Sequence, residues 1–219
     1  SSTEWVRRYF SQNGENENFL CELIRSDNIK EFANYVTKND ISLNSYIQES
    51  IFETNPLLFR RNNVKIIEYA SFFGSFEIIK YLVSKNVELT SSMWLFHIHS
   101  ENGELTRYLI EKNILPRKKK FNRILKESIK CHHNDIAQFI INFHIDENDL
   151  KFDTENDFNN NFFRYSIQYH NYCFFPDDIK YKYMFYYLCE FDYFTLVSLY
   201  LRNQSINLND MIIQIKKKL

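Results

Sequence analysis

Two short clusters hold the side chains with the greatest chemical reach. His97-Ile98-His99 and Cys131-His132-His133 contain four of the six histidines and one of the four cysteines. A zinc site needs four ligands that converge on one point. On a helix, residues two apart face different sides, so His97 and His99 diverge. Cys131, His132 and His133 are successive and diverge as well. A thiol nucleophile needs a base and an orienting polar group brought to it in space. Cys131 beside His132 is the candidate neighbourhood, and adjacency in sequence does not supply that geometry. Both clusters read as polar residues at turns, with no metal ligands and no catalytic residues.

The charged runs are equally bland. Asp146, Glu147, Asp149, Asp153, Glu155 and Asp157 lack the glycine and the spacing of a calcium loop, so residues 146–160 read as a long loop. Pro116-Arg117-Lys118-Lys119-Lys120 reads as a solvated loop. A nuclear-import signal or a dock for an acidic partner is the alternative. Lys216-Lys217-Lys218 suits a helix end, where cations complement the macrodipole. No nucleophile elbow, phosphate-cradling glycine loop, paired-histidine helix or kinase signature occurs. The expectation is a protein with no catalysis and no cofactor.

Composition narrows the class further. The 219 residues are 44% hydrophobic and 25% charged, which is globular. Aromatic residues reach 17%, from 21 Phe, 15 Tyr and 2 Trp, so rings build much of the core. Only 3 Gly and 3 Pro are present, too few for a turn-rich β-sandwich. Asn and Asp must therefore make many turns. A net charge of −1 gives no pull toward nucleic acid or an acidic membrane. Cys21, Cys131, Cys173 and Cys189 show no C-x-x-C spacing, so a reduced, cytoplasmic setting is expected. No apolar run reaches transmembrane length, and no signal peptide opens the chain.

The elements follow from periodicity. Ile66, Ile67, Tyr69, Ala70 and Phe73 form an apolar stripe at helical spacing. Gly74 stops that helix by taking positive φ. Phe76, Ile79, Leu82 and Val83 continue the stripe on a second helix, and Asn86 stops it. Neither helix is long enough to be stable alone. Phe19–Ile24 and Ile29–Val36 make an earlier pair, with Ser26-Asp27-Asn28 as turn and cap and Asn39-Asp40 as its end. A connection from Ser42 to Phe59 follows, interrupted by Pro56, with room for one more helix. Residues 1–18 read as an arm or short helix.

The pattern then repeats. Met93–Asn113 aligns at a shift of 27, which puts Tyr81 on Tyr108 and Asn86 on Asn113, with a turn at Glu101-Asn102-Gly103. Phe121–Phe143 aligns 31 residues further on. Phe162–Tyr172 is the first helix of a degraded unit that stops before Pro176. Tyr181–Glu190 and Tyr193–Arg202 make the last pair, with Tyr187 in the place of Tyr69. Asp210–Leu219 reads as a cap or the start of another unit.

The stretch Tyr69-Ala70-Ser71-Phe72-Phe73-Gly74-Ser75-Phe76-Glu77-Ile78-Ile79-Lys80-Tyr81-Leu82 resembles the ankyrin repeat. The Thr-Pro-Leu-His opening of that repeat is missing. Residues 19–209 as a whole resemble a divergent ankyrin-type domain of single-celled eukaryotes. The markers stand about 27 to 38 residues apart, against the 33 of ankyrin. The resemblance implies an all-α, ankyrin-like α-solenoid of stacked antiparallel helix pairs over residues 19–219. It implies a protein-interaction module that uses its concave face.

In ankyrin-like units the residues just before each inter-helix turn project from that face. By the shifts above these are Phe72, His99, Lys130, Gln168 and Glu190, followed by Phe73, Ser100, Cys131, Tyr169 and Phe191. Aromatic rings give contact area there and charges set register. The alternative is that Phe72, Phe73 and Tyr169 are core. The expected partner is a protein, with no nucleic acid and no membrane, and the chain a monomer or weak homo-oligomer. A structural module that self-associates through the concave face or through an uncapped end near Asp210–Leu219 is the second reading.

Overall fold

The computed structural model describes residues 13–59, 63–100, 102–147, 163–174 and 184–203. Among them every regular element is helical, apart from one isolated antiparallel bridge between Tyr46 and Lys65. Trp5, Tyr9, Glu101, Pro176, most of the acidic run and the Asp210–Leu219 segment lie outside the described residues. The chain divides into two compact units, residues 1–124 and 125–219.

The first unit contains α1 (Phe19–Arg25), α2 (Ile29–Lys38), α3 (Pro56–Phe59), α4 (Ile66–Phe73), α5 (Phe76–Ser84), α6 (Met93–His97) and α7 (Gly103–Glu111). A 3-10 turn, Lys118–Lys120, then leads into α8 (Phe121–Lys130), within which the unit boundary falls. The second unit continues with α9 (Asn134–Glu147), α10 (residues 163–168), a 3-10 turn (Tyr172–Phe174), α11 (Met184–Glu190) and α12 (Phe194–Asn203).

In the first unit α1 packs on α2 and α4 on α5, so each pair closes on itself. The pairs also stack in register, α1 on α4, α2 on α5 and α4 on α6. Of the predicted stripes Ile66, Ile67, Tyr69, Ala70, Ile79 and Leu82 are buried, Phe73, Phe76 and Val83 are half-buried, and Ile78, outside the stripe, is fully buried. Ile24, Phe32, Ile66, Tyr69, Ile79, Leu82, Trp94 and Phe96 are all buried. Each side chain of that size contributes about 1.5–3 kcal/mol through burial. In the second unit Phe163, Ile167, Met184, Tyr187, Leu188 and Tyr200 form one core.

Five turns among the described residues share one wiring. Each has a left-handed residue: Asp27 (φ 49°), Gly74 (φ 68°), His132 (φ 60°), His170 (φ 56°) and Asp192 (φ 59°). After each of these, the next amide reaches back five residues. The bonds are Asn28 to Leu23 O, Ser75 to Ala70 O, His133 to Ser128 O, Asn171 to Ser166 O and Tyr193 to Leu188 O, all 2.9–3.1 Å. This is the Schellman closure, which satisfies carbonyls that the helix end leaves open. The ends of α2, α5 and α7 repeat it through Asp40 (φ 50°), Asn86 (φ 63°) and Asn113 (φ 55°).

Side chains then tie one hairpin to the next. The residue after the left-handed position donates to a carbonyl near the end of the preceding hairpin's first helix. Ser75 Oγ reaches Ile24 O (2.6 Å), Asn171 Nδ2 reaches Ile129 O (3.0 Å) and Tyr193 Oη reaches Ile167 O (2.8 Å). Asn102 makes the related bond to Gly74 O at 2.9 Å. Asp27 returns the tie, since its carboxylate accepts the amides of Glu77 and Ile78 (3.0 Å each) and so caps α5 from the neighbouring hairpin.

Two sequence expectations need correction. Pro56 does not interrupt a segment. It opens α3, with Asn55 Oδ1 accepting the Leu57 amide at 2.9 Å. The first helical position has no use for the amide hydrogen that proline lacks. The loop read at 146–160 starts later, because α9 runs through Asp146 to Glu147. No Gly or Pro stands between Asn134 and Glu147 to stop it.

Candidate functional site

The residue two places before each left-handed position is the one expected to project from the turn face. In the first unit these are Arg25, Phe72 and His99, the last counted by its shift of 27 from Phe72. Arg25 was missed from sequence. It precedes Asp27 as Phe72 precedes Gly74, and that spacing could have revealed it.

The three side chains form a connected row. The Arg25 guanidinium lies over the Phe73 ring, 5.9 Å from its centroid. Phe73 packs against Phe72 (4.9 Å) and Tyr69 (4.8 Å). Phe72 stacks on the His99 ring at 4.6 Å with 20° between the planes. Phe72 is buried in this stack, while Phe73 and His99 keep partial exposure. Ser100 is buried and donates to His97 O at 2.9 Å. The row is thus an aromatic ridge with one edge in solvent.

Arg25 is held firmly. One Nη donates to Tyr69 Oη and to Asn16 O, both at 2.9 Å, and Nε lies 3.4 Å from Glu15. Burial pushes the Tyr69 phenol well above its ordinary range, although Arg25 draws it down. Burial likewise pushes the Cys21 thiol up to about 12, against a hydrogen bond from Tyr69 that lowers it. A thiol that stays protonated at neutral pH is packing, not a nucleophile.

In the second unit the row reads Lys130, Gln168 and Glu190, with Cys131, Tyr169 and Phe191 beside them. Lys130 is exposed and pairs with Glu127 at 2.9 Å. Glu190 binds Arg164 at 2.5 Å, and the same guanidinium lies 5.8 Å from the Phe191 centroid. Lys126 stands 5.5 Å from the Tyr165 ring and 5.9 Å from the Tyr169 ring. Gln168, Tyr169, Cys131 and Phe191 are half-buried. The ridge here is cation over aromatic, with charges of both signs at its edge.

The histidines are tied into structure. His97 is buried, with Nδ1 2.8 Å from Ser100 Oγ and Nε2 2.6 Å from Thr106 Oγ1. Ser100 spends its hydroxyl hydrogen on His97 O, so Nδ1 donates and Nε2 accepts. His132 makes a left-handed turn and is exposed, and His170 does the same with Tyr193 Oη 2.5 Å from its Nδ1. Arg117 and Lys119 of the basic run are exposed, Lys119 within the 3-10 turn that precedes α8 and Arg117 just before it. Among the described residues no helix is long and apolar enough to cross a membrane. Comparison of the chain with protein-family models, with curated proteins and with solved structures found no match.

Proposed function

We propose that this chain is a non-catalytic protein-interaction module. It is built as an ankyrin-like solenoid of stacked antiparallel helix pairs and recognises a protein through its concave face. One observation carries the reading. The side chains two residues before successive turns line up as a ridge, from Arg25 through Phe73 and Phe72 to His99. A rigid scaffold that repeats one turn geometry holds such a ridge at fixed register, which keeps the entropy cost of binding low. The partly exposed rings of Phe73, His99, Tyr169 and Phe191 supply contact area, and Lys130 and Glu190 supply charge. Four unbridged cysteines suit a reduced, cytoplasmic setting.

The test is affinity capture from lysate with the intact chain and with Phe73→Ala, His99→Ala and Lys130→Glu variants, each checked for a normal melting curve. Loss of the same captured protein in all three supports the reading. Capture unchanged in all three removes the turn face as the binding surface.

Self-association is the second reading, favoured by exposed apolar residues on α12. Phe194 is 75% exposed, with Leu199 and Leu201 also in solvent. Light scattering that shows mass rising with concentration, and a fixed monomer on Phe194→Asp, would support it.

A further inference from the structure

The second half of α7 and the loop after it concentrate positive charge. Residues 107–123 hold seven cationic side chains and one acid, Glu111, while the whole chain has a net charge of −1. Charge is thus sorted along the chain, and this stretch is strongly basic. Arg107, Lys112, Arg117 and Lys119 are all exposed. None of the four belongs to an ion pair among the described residues. By contrast Lys80 has Glu77 at 2.5 Å and Lys130 has Glu127 at 2.9 Å.

The loop that presents these cations is held in place. The Ile114 amide donates to Leu109 O at 2.9 Å and closes the end of α7. Trp94 Nε1, from the buried α6, donates to Ile114 O at 2.6 Å. Pro116 and Phe121 are buried on either side of Arg117 and Lys119. The Lys120 amide closes on Arg117 O at 2.8 Å. Lys119 stands seven positions after Lys112, which bounds their Cα separation at about 25 Å. Cations displayed on a fixed loop cost little ordering when they bind.

We propose that this stretch docks an Asp/Glu-rich segment of a partner protein, with an apolar residue among its carboxylates. Charge complementarity selects the acid. Arg107 and Arg117 offer the planar fork that holds a carboxylate through two hydrogen bonds, and Lys112 and Lys119 offer point charges. The apolar residue meets Ile110, which is 40% exposed and shares a face of α7 with Arg107, three residues before it.

A nucleic acid fits this surface less well. It needs a wider basic face and open rings on which bases stack. Lys112 Nζ already lies over the Tyr108 ring, 5.5 Å from its centroid. The site uses none of the turn-face side chains and stands or falls separately from them.

The experiment is an NMR titration of the intact chain with acetyl-Glu-Glu-Leu-Glu-Glu-amide, its Gln-for-Glu counterpart and a uridine oligonucleotide of equal charge. Saturable amide shifts over residues 107–120 are expected with the acidic peptide, weakening as salt is added. Arg117→Glu with Lys119→Glu should lower the affinity about tenfold or more. Lys30→Glu with Lys38→Glu, the same charge change on exposed positions of α2, should leave it within about twofold. Ile110→Ser should cost about threefold. Should the first double variant not fold, Arg117→Gln and Lys119→Gln singly take its place, each expected to cost about threefold. Any of five results overturns the proposal: no saturation, equal binding of the Gln peptide, tighter binding of the oligonucleotide, a loss at Arg117 and Lys119 no greater than the α2 control's, or Ile110→Ser without effect.

Discussion

The inter-helix turns and the 41–64 connection differ in how they meet backbone carbonyls and buried side-chain groups. At the turns, carbonyls left open by a helix end are met by an amide five residues on or by a side chain from the next hairpin. In the connection, Glu53 keeps one carboxylate oxygen buried and unmet beside a cavity. The turns meet their backbone carbonyls, while the side-chain Oδ1 of Asn171 at one of them stays buried without a partner, as Glu53 Oε2 does.

The sharpest way to break the comparison is at Gly74. A Cβ there would sit 3.0 Å from Ser100 Cβ and 3.1 Å from Asn102 Cβ, at a φ of 68°. Gly74→Ala should cost roughly 1–3 kcal/mol, read from urea unfolding. A loss near zero would mean that the two hairpins are not held this closely. Asp192→Gly, at an equivalent turn, should be neutral or mildly stabilising, since glycine adopts that conformation freely.

Asn171→Leu comes next. Asn171 Nδ2 serves both Ile129 O and Asn134 Oδ1 (2.7 Å), so its loss should cost about 2 kcal/mol. Ser75→Ala should cost about 1 kcal/mol, and Asp27→Ala a similar amount through the lost cap on α5. The two act across one hairpin boundary, so the double variant should lose less than the sum. Strict additivity would show that the ties are independent.

Glu53→Gln tests the other side. The folded-state carboxyl titrates above its ordinary value of 4.5, so the folded chain holds a proton that the unfolded chain releases. The stability this adds is full below that ordinary value and is lost as pH rises through the folded-state value. Glu53→Gln should therefore be the more stable protein at neutral pH and the less sensitive to pH, in melts from acid to neutral. A variant as pH-sensitive as its parent would remove Glu53 as the titrating group.

Much of the local structure could be read from residue order. Ser26-Asp27-Asn28, Gly74, Asn86 and Asn113 were expected as turn or stop residues, and all the turns they mark carry a left-handed residue. The shifts of 27 and 31 matter more: they carry Gly74 to Glu101 and on to His132, itself left-handed. The ties between hairpins were not readable. Ser75, Asn171 and Tyr193 share a position and a role, yet a hydroxyl, an amide and a phenol share no sequence signature.

Residue types and spacing thus determined the helices, their stops and the ring-rich stripes, because those depend on backbone preference and short-range periodicity. Only tertiary structure decided that Arg25 joins the aromatic ridge, that Phe72 is covered by His99 and that Glu53 is buried short of a partner. Each of those depends on which carbonyls, rings and charges meet across residues twenty or more positions apart, and the order of residues does not encode that distance.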